Sequence, residues 1–128
     1  MKFENYFKNG TIFVWKETFA IVKSKKPLPN AFAVIKDKNE TTVVIDQTII
    51  KNNKYIIEIE KNWKLLTFDM ILPFGLVGFL ATISKILADA GISIFVISSF
   101  STDHILIKKN NFKKAINQLE NSGLKIKT

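Results

Sequence analysis

The chain offers few groups able to make or break a covalent bond. Its only histidine is His104, and it has no cysteine. Asp103 precedes His104, but successive residues of a strand point to opposite faces. The two therefore do not form the oriented pair that a general base or an activated nucleophile needs. His104 reads as a surface or packed side chain. No HxH, HExxH or carboxylate-loop spacing is present to ligate a metal. Gly75-Leu76-Val77-Gly78 lacks the Lys-Ser/Thr of a phosphate-binding loop. The expectation is a protein that is not an enzyme, with no catalytic residue, metal or cofactor.

Binding chemistry is better represented. The run from Leu72 to Leu80 contains Pro73, Gly75 and Gly78, and an amphipathic pattern follows it. The first turn of a helix has unpaired N–H groups and a partial positive charge, so a carboxylate or phosphate can bind there. Gly75 would let such a group approach the backbone closely. The same glycines serve equally well as turn and packing residues. A second segment, Ser99-Phe100-Ser101-Thr102-Asp103, offers hydroxyls, an aromatic ring and one carboxylate. A carboxylate near a helix start, with an ammonium between them, would match the two charged ends of an amino acid. Asp103 also suits a turn or the start of a strand.

These two segments sit in a readable frame. Leu65 to Ile71 is strand-like. Leu76, Phe79, Leu80, Ile83, Ile86, Leu87 and Ala90 make one apolar stripe, giving a helix of about four turns. Gly91 is placed to end it in the left-handed conformation. Ile92 to Ser98 is nearly all apolar, as expected of a strand covered by helices. Ser99 to Thr102 forms a loop and Asp103 to Lys108 the next strand. Asn110 or Asn111 caps a second helix with Phe112, Ala115, Ile116 and Leu119 inward, Gly123 ends it, and Leu124 to Ile126 is a last short strand. From Lys64 onward the order is β-α-β-β-α-β. With short loops and right-handed crossovers, that predicts an α+β, ferredoxin-like fold with two helices on one face of an antiparallel sheet.

The preceding half is mostly β. Thr11 to Trp15, Phe19 to Lys23, Ala31 to Ile35, Thr41 to Ile45 and Tyr55 to Glu60 read as extended runs. Asp37 to Glu40 reads as a hairpin turn, and Asn62 as a turn residue. Asp46 to Asn53 holds at most one short helical turn. The division expected is residues 1–62 and residues 63–128.

The 128 residues carry a net charge of +8, and every positive residue is a lysine. Nucleic-acid readers generally use arginine, whose planar fork grips phosphate and guanine. The expectation is a solvated basic surface and no nucleic-acid partner. Residues 70–84 carry no charge but are too few for a membrane span of about 20 residues. The start of the chain lacks the apolar core of a signal peptide, so a cytoplasmic protein is expected.

Phe74 to Ala81, Leu87 to Phe95 and Ile97 to Leu106 together resemble an ACT domain. Phe19 to Lys23, Pro27-Leu28-Pro29 and Trp63 to Leu66 extend the resemblance weakly into the first half. The group it resembles includes stand-alone tandem ACT-like proteins similar to CASTOR-type amino-acid sensors, and aspartate kinase regulatory domains. The resemblance implies an ACT domain preceded by a degenerate ACT-like half. It implies a non-catalytic regulatory protein that holds a free amino acid at a domain or subunit interface. A homo-oligomer and a separate regulated protein are implied as partners. Carried onto matching positions, the ligand contacts are Gly75, Leu76 and Val77 on one side and Phe100, Ser101, Thr102 and Asp103 on the other. Asp103, in the family's Thr-Asp position, would pair with the ligand's cationic group. The alternatives are a ligand-free oligomerisation module or a nucleic-acid-binding module on the same kind of sheet.

Overall fold

Ile12, Val14, Ala20 and Val22 are buried along one long strand, β1 (Thr11–Ser24). The two extended segments read there are thus continuous. The polar residues at 16–18 lie within the strand. Lys64 Nζ donates to the carbonyls of Trp15 and Lys16 at 3.1 and 3.2 Å. The computed structural model describes residues 4–128. It contains, in order, α1 (Glu4–Asn9), β1, β2 (Ala33–Lys36), β3 (Thr41–Asp46), β4 (Ile56–Phe68), α2 (Phe79–Asp89), β5 (Phe95–Ser98), β6 (Asp103–Lys108), α3 (Phe112–Asn121) and β7 (Lys125–Lys127). Two compact units result: the chain up to Lys16 with Lys64–Thr128, and Glu17–Trp63. No described helix is long and apolar enough to cross a membrane.

The first unit is a sheet of strand order β7–β1–β4–β6–β5 with its helices packed on one face. Phe79, Ile83 and Leu87 of α2, Ala115 and Leu119 of α3, and Phe7 of α1 pack there against Ile12, Leu66, Phe68, Ile105 and Ile107. Two helices on one face is the expected α+β arrangement, and α1 joins them. β7 pairs in parallel with Thr11–Phe13, so β1 stands between β7 and β4.

Three local expectations are corrected. Helix α2 has about three turns rather than four, because Leu76 belongs to a turn and Gly78 delays the helix start. The strand after it covers Phe95–Ser98 rather than Ile92–Ser98. It is the sheet edge, with alternating exposure and Val96 open to solvent, so its apolar sequence does not mean burial on both faces. Asn111 precedes α3, but its side chain makes no capping hydrogen bond. Gly91 and Gly123 both take positive φ at the helix ends, as expected (75° and 109°).

In the second unit β2, β3 and β1 pair antiparallel in that order. Ala20, Val22, Val43 and Ile45 form its core. Asp37 turns the β2–β3 hairpin by accepting from the N–H groups of Asn39 and Glu40 at 2.8 and 2.9 Å. A single 3₁₀ turn, Gln47–Ile49, is capped by Asp46. Asn62 does not make a turn. It sits inside β4 with φ 70°, and exchanges hydrogen bonds with Gln47: its N–H donates to Oε1 at 2.9 Å, and its Oδ1 accepts from Nε2 at 3.2 Å. That long-range pair carries the strand through an irregular residue.

Candidate functional site

The stretch between β4 and α2 is held first at Asp69, whose N–H donates to Thr11 O at 2.8 Å. Met70 N–H donates back to the Phe68 carbonyl, Leu72 N–H to Ser101 O at 2.7 Å, and Leu76 N–H to Pro73 O at 3.0 Å. The last bond closes a β-turn with Phe74 and Gly75 at its centre. The left-handed residue is Gly78 (φ 97°), which serves as N-cap. It has no side chain to bond the helix start, and the helical ladder begins with Thr82 N–H to Gly78 O at 3.0 Å. The N–H groups of Phe79, Leu80 and Ala81 therefore have no acceptor within the helix.

Facing this stretch is the β5–β6 hairpin. Ser98 pairs with Asp103, and Ser99–Thr102 connect them. Ser99 N–H donates to Thr102 O at 2.9 Å. The Thr102 hydroxyl donates to Phe68 O, tying the hairpin tip to the end of β4. Asp103 and Ser98, as directly opposed residues, share one face, and the Ser98 hydroxyl donates to Asp103 Oδ1 at 2.6 Å. Among the described residues, no hydrogen bond reaches Asp103 Oδ2.

A cleft of about 280 Å³ lies between the two loops. Of the residues expected to bind ligand, Leu76, Phe100, Thr102 and Asp103 line it. Gly75 lies at the centre of the turn and is not in the lining, and Val77 is 80% exposed outside it. Ser101 is also outside the lining and contributes its carbonyl to the bond that joins the loops. Sequence reasoning missed Ser98 and Phe74. The Phe74 ring meets Phe100 edge to face, with centroids 4.8 Å apart. The signal for Ser98 was its mirror position across the four-residue loop from Asp103.

His104 lies on the opposite sheet face and is buried. It is not paired with Asp103 as a catalytic dyad. Thr67 Oγ1 stands 2.8 Å from Nδ1, and Ser99 Oγ 3.0 Å from Nε2. The directions follow from the neighbours. Ser99 Oγ donates to Thr102 O at 3.0 Å, so it accepts from Nε2–H. Trp15 Nε1–H donates to Thr67 Oγ1 at 2.8 Å, which leaves the Thr67 proton for Nδ1. Burial pushes the imidazole below its ordinary value, and the Asp103 carboxylate opposes that shift. A neutral ring with Nε2–H is the state these partners fit. Among the described residues, no three His, Cys, Asp or Glu side chains cluster as a metal site.

No curated protein sequence matches the chain. Solved structures do match in fold. An Agobacterium tumefaciens protein superposes with a TM-score of 0.80 at 20% identity, covering 93% of this chain and 92% of that one. A protein of unknown function from Vibrio cholerae gives 0.72 at 19% identity, with 94% of each chain covered. A putative C-terminal regulatory domain of aspartate kinase from Porphyromonas gingivalis gives 0.59 at 16% identity, covering 88% and 96%. The ACT domain family profile matches residues 58–121, a span that holds α2, α3 and both loops of the cleft. On that match, the chain belongs to the ACT domain family.

Proposed function

We propose that this protein is a non-catalytic ACT regulatory protein that binds a free amino acid in the cleft between residues 72–81 and 98–103. The observation that carries this reading is the pairing of two opposite charges of fixed kind in one small cleft. The uncapped first turn of α2 lines one part of it, and Asp103 lines another. The helix start suits a carboxylate, and Asp103 suits an ammonium. Leu76, Phe100 and Thr102 complete the contacts in this reading, with Gly75, Val77 and Ser101 shaping the loops that present them. A ligand touching both loops favours whichever arrangement of them it binds better, and that preference is the regulatory signal. The signal passes to a second copy of the chain or to a separate regulated protein, in a cytoplasmic setting.

A thermal-shift screen of the twenty amino acids tests the proposal. At least one should raise the melting temperature in a saturable way, and Asp103→Ala should abolish that rise. A flat screen removes the ligand-binding reading and leaves a ligand-free association module. Full stabilisation of Asp103→Ala removes Asp103 from the site.

A further inference from the structure

We infer that the ligand of this cleft is an amino acid with an uncharged, apolar side chain of aliphatic or aromatic type, an inference that rests on the amino-acid reading above. The charge census of the cleft leads to it. Although the chain has 19 lysines, none lines the cleft, and Asp103 is its single ionisable group. An aspartate or glutamate ligand would bring a second carboxylate with no cation to meet it, close to the carboxylate of Asp103. A lysine or arginine ligand would bring two cationic groups for one carboxylate, and Ser98 already occupies one oxygen of that carboxylate.

The hydroxyls argue in the same direction. Three of them line the cleft, and each has already committed its single proton. Ser98 donates to Asp103, Ser99 to Thr102 O, and Thr102 to Phe68 O. A ligand side-chain carbonyl, as in asparagine or glutamine, would find no side-chain donor there. What the cleft does offer is apolar surface from the partly buried Leu72, Leu76 and Leu80 and from the paired rings of Phe74 and Phe100. Those two rings are 78% and 80% exposed. Covering them with an apolar side chain removes that surface from water. The volume also fits, since about 280 Å³ lies just below the range that holds drug-sized ligands.

The test is calorimetric titration of the full chain with leucine, phenylalanine, alanine, aspartate and lysine. A methylene in an apolar pocket is worth roughly tenfold or more in discrimination. Leucine or phenylalanine should therefore bind at least about tenfold more tightly than alanine, and aspartate and lysine should bind more weakly than alanine. Phe100→Ser, at an exposed position, should shrink the ratio of leucine or phenylalanine affinity to alanine affinity. Tightest binding by aspartate or lysine overturns this inference and leaves the amino-acid reading intact. An unchanged ratio in Phe100→Ser overturns it as well. If none of the twenty amino acids stabilises the protein, the reading beneath it falls, and this inference falls with it.

Discussion

The Ser98 hydroxyl donates to Asp103 Oδ1 at 2.6 Å across the mouth of the β5–β6 hairpin. One oxygen of the carboxylate is thereby fixed by a neighbour on the same sheet face, and the other receives no hydrogen bond from the described residues. The same hairpin positions Thr102 against the end of β4 and Ser99 against His104. A four-residue loop thus joins a cleft-lining carboxylate to a buried imidazole on the other side of the sheet.

The Ser98–Asp103 relationship separates charge from orientation. Asp103→Asn keeps the shape and removes the charge. Hydrogen bonds to charged groups contribute roughly 1.5–3 kcal/mol, so affinity for the proposed amino-acid ligand should fall by about tenfold or more. Ser98→Ala keeps the charge and frees its orientation, and should weaken binding by less. Titration of both variants with the best ligand from the screen checks the order. Equal losses would mean that orientation matters as much as charge.

His104 makes stability depend on pH in a stated direction. Its folded value lies below the ordinary 6.5, first because burial disfavours the charged ring. Between the folded and the unfolded value the unfolded chain binds more protons. The contribution is therefore fully present above about pH 6.5 and is lost as pH falls through the folded value. Urea midpoints should drop between pH 7.5 and pH 5. His104→Gln should flatten the part of that drop due to this residue. A wild-type and a variant profile that run parallel would show that His104 plays no part.

Thr67 is the joint between the indole of Trp15 and the imidazole of His104. Thr67→Val keeps the β-branched shape and removes the hydroxyl that both rings address. Leaving a buried polar group poorly served costs about 1–3 kcal/mol, and Thr67→Val should destabilise by that order. Thr67→Ser, which retains the hydroxyl, should lose less. Denaturant unfolding of the three proteins measures the difference.

Much of this was legible in sequence where the cause is local. The stripe Phe79, Ile83 and Leu87 has the helical period, and all three are buried. Gly91 ends α2 with positive φ because no L residue does so as cheaply. The loop at Ser99–Thr102 and the strand from Asp103 followed from polarity and β-branching. The misreadings have distant causes. Asn62 carries turn chemistry, yet Gln47, fifteen residues away, supplies both partners that keep it within β4. Ile92 to Ser98 is apolar throughout, but β5 is an edge strand because β6 pairs on one side of it only. In the cleft, Asp103 was readable from its type and position. Its orientation by Ser98 required the strand register, which a single sequence does not display.

Two glycines at ends of helices should respond differently to alanine, for different physical reasons. Gly91 has φ 75° and open space around the position a Cβ would take, with nothing within 4 Å. Gly91→Ala meets only backbone strain, about 1–2 kcal/mol for an L residue in the left-handed region. Gly10, between α1 and β1, is crowded instead. A Cβ there would overlap the carbonyl oxygen of Tyr6 and come within 2.7 Å of Met70 Cε and 2.8 Å of Leu124 Cδ2. The Met70 and Leu124 side chains can rotate away, but the Tyr6 carbonyl is backbone of α1. Gly10 also accepts from Lys125 N–H at 3.0 Å, so the backbone cannot shift without loosening the start of β7. Gly10→Ala should therefore cost more than Gly91→Ala, in the upper part of the roughly 0.5–3 kcal/mol range of single substitutions or beyond it. Denaturant midpoints of the two variants, compared with wild type, give the order, and a smaller loss at Gly10 would show that α1 moves aside freely.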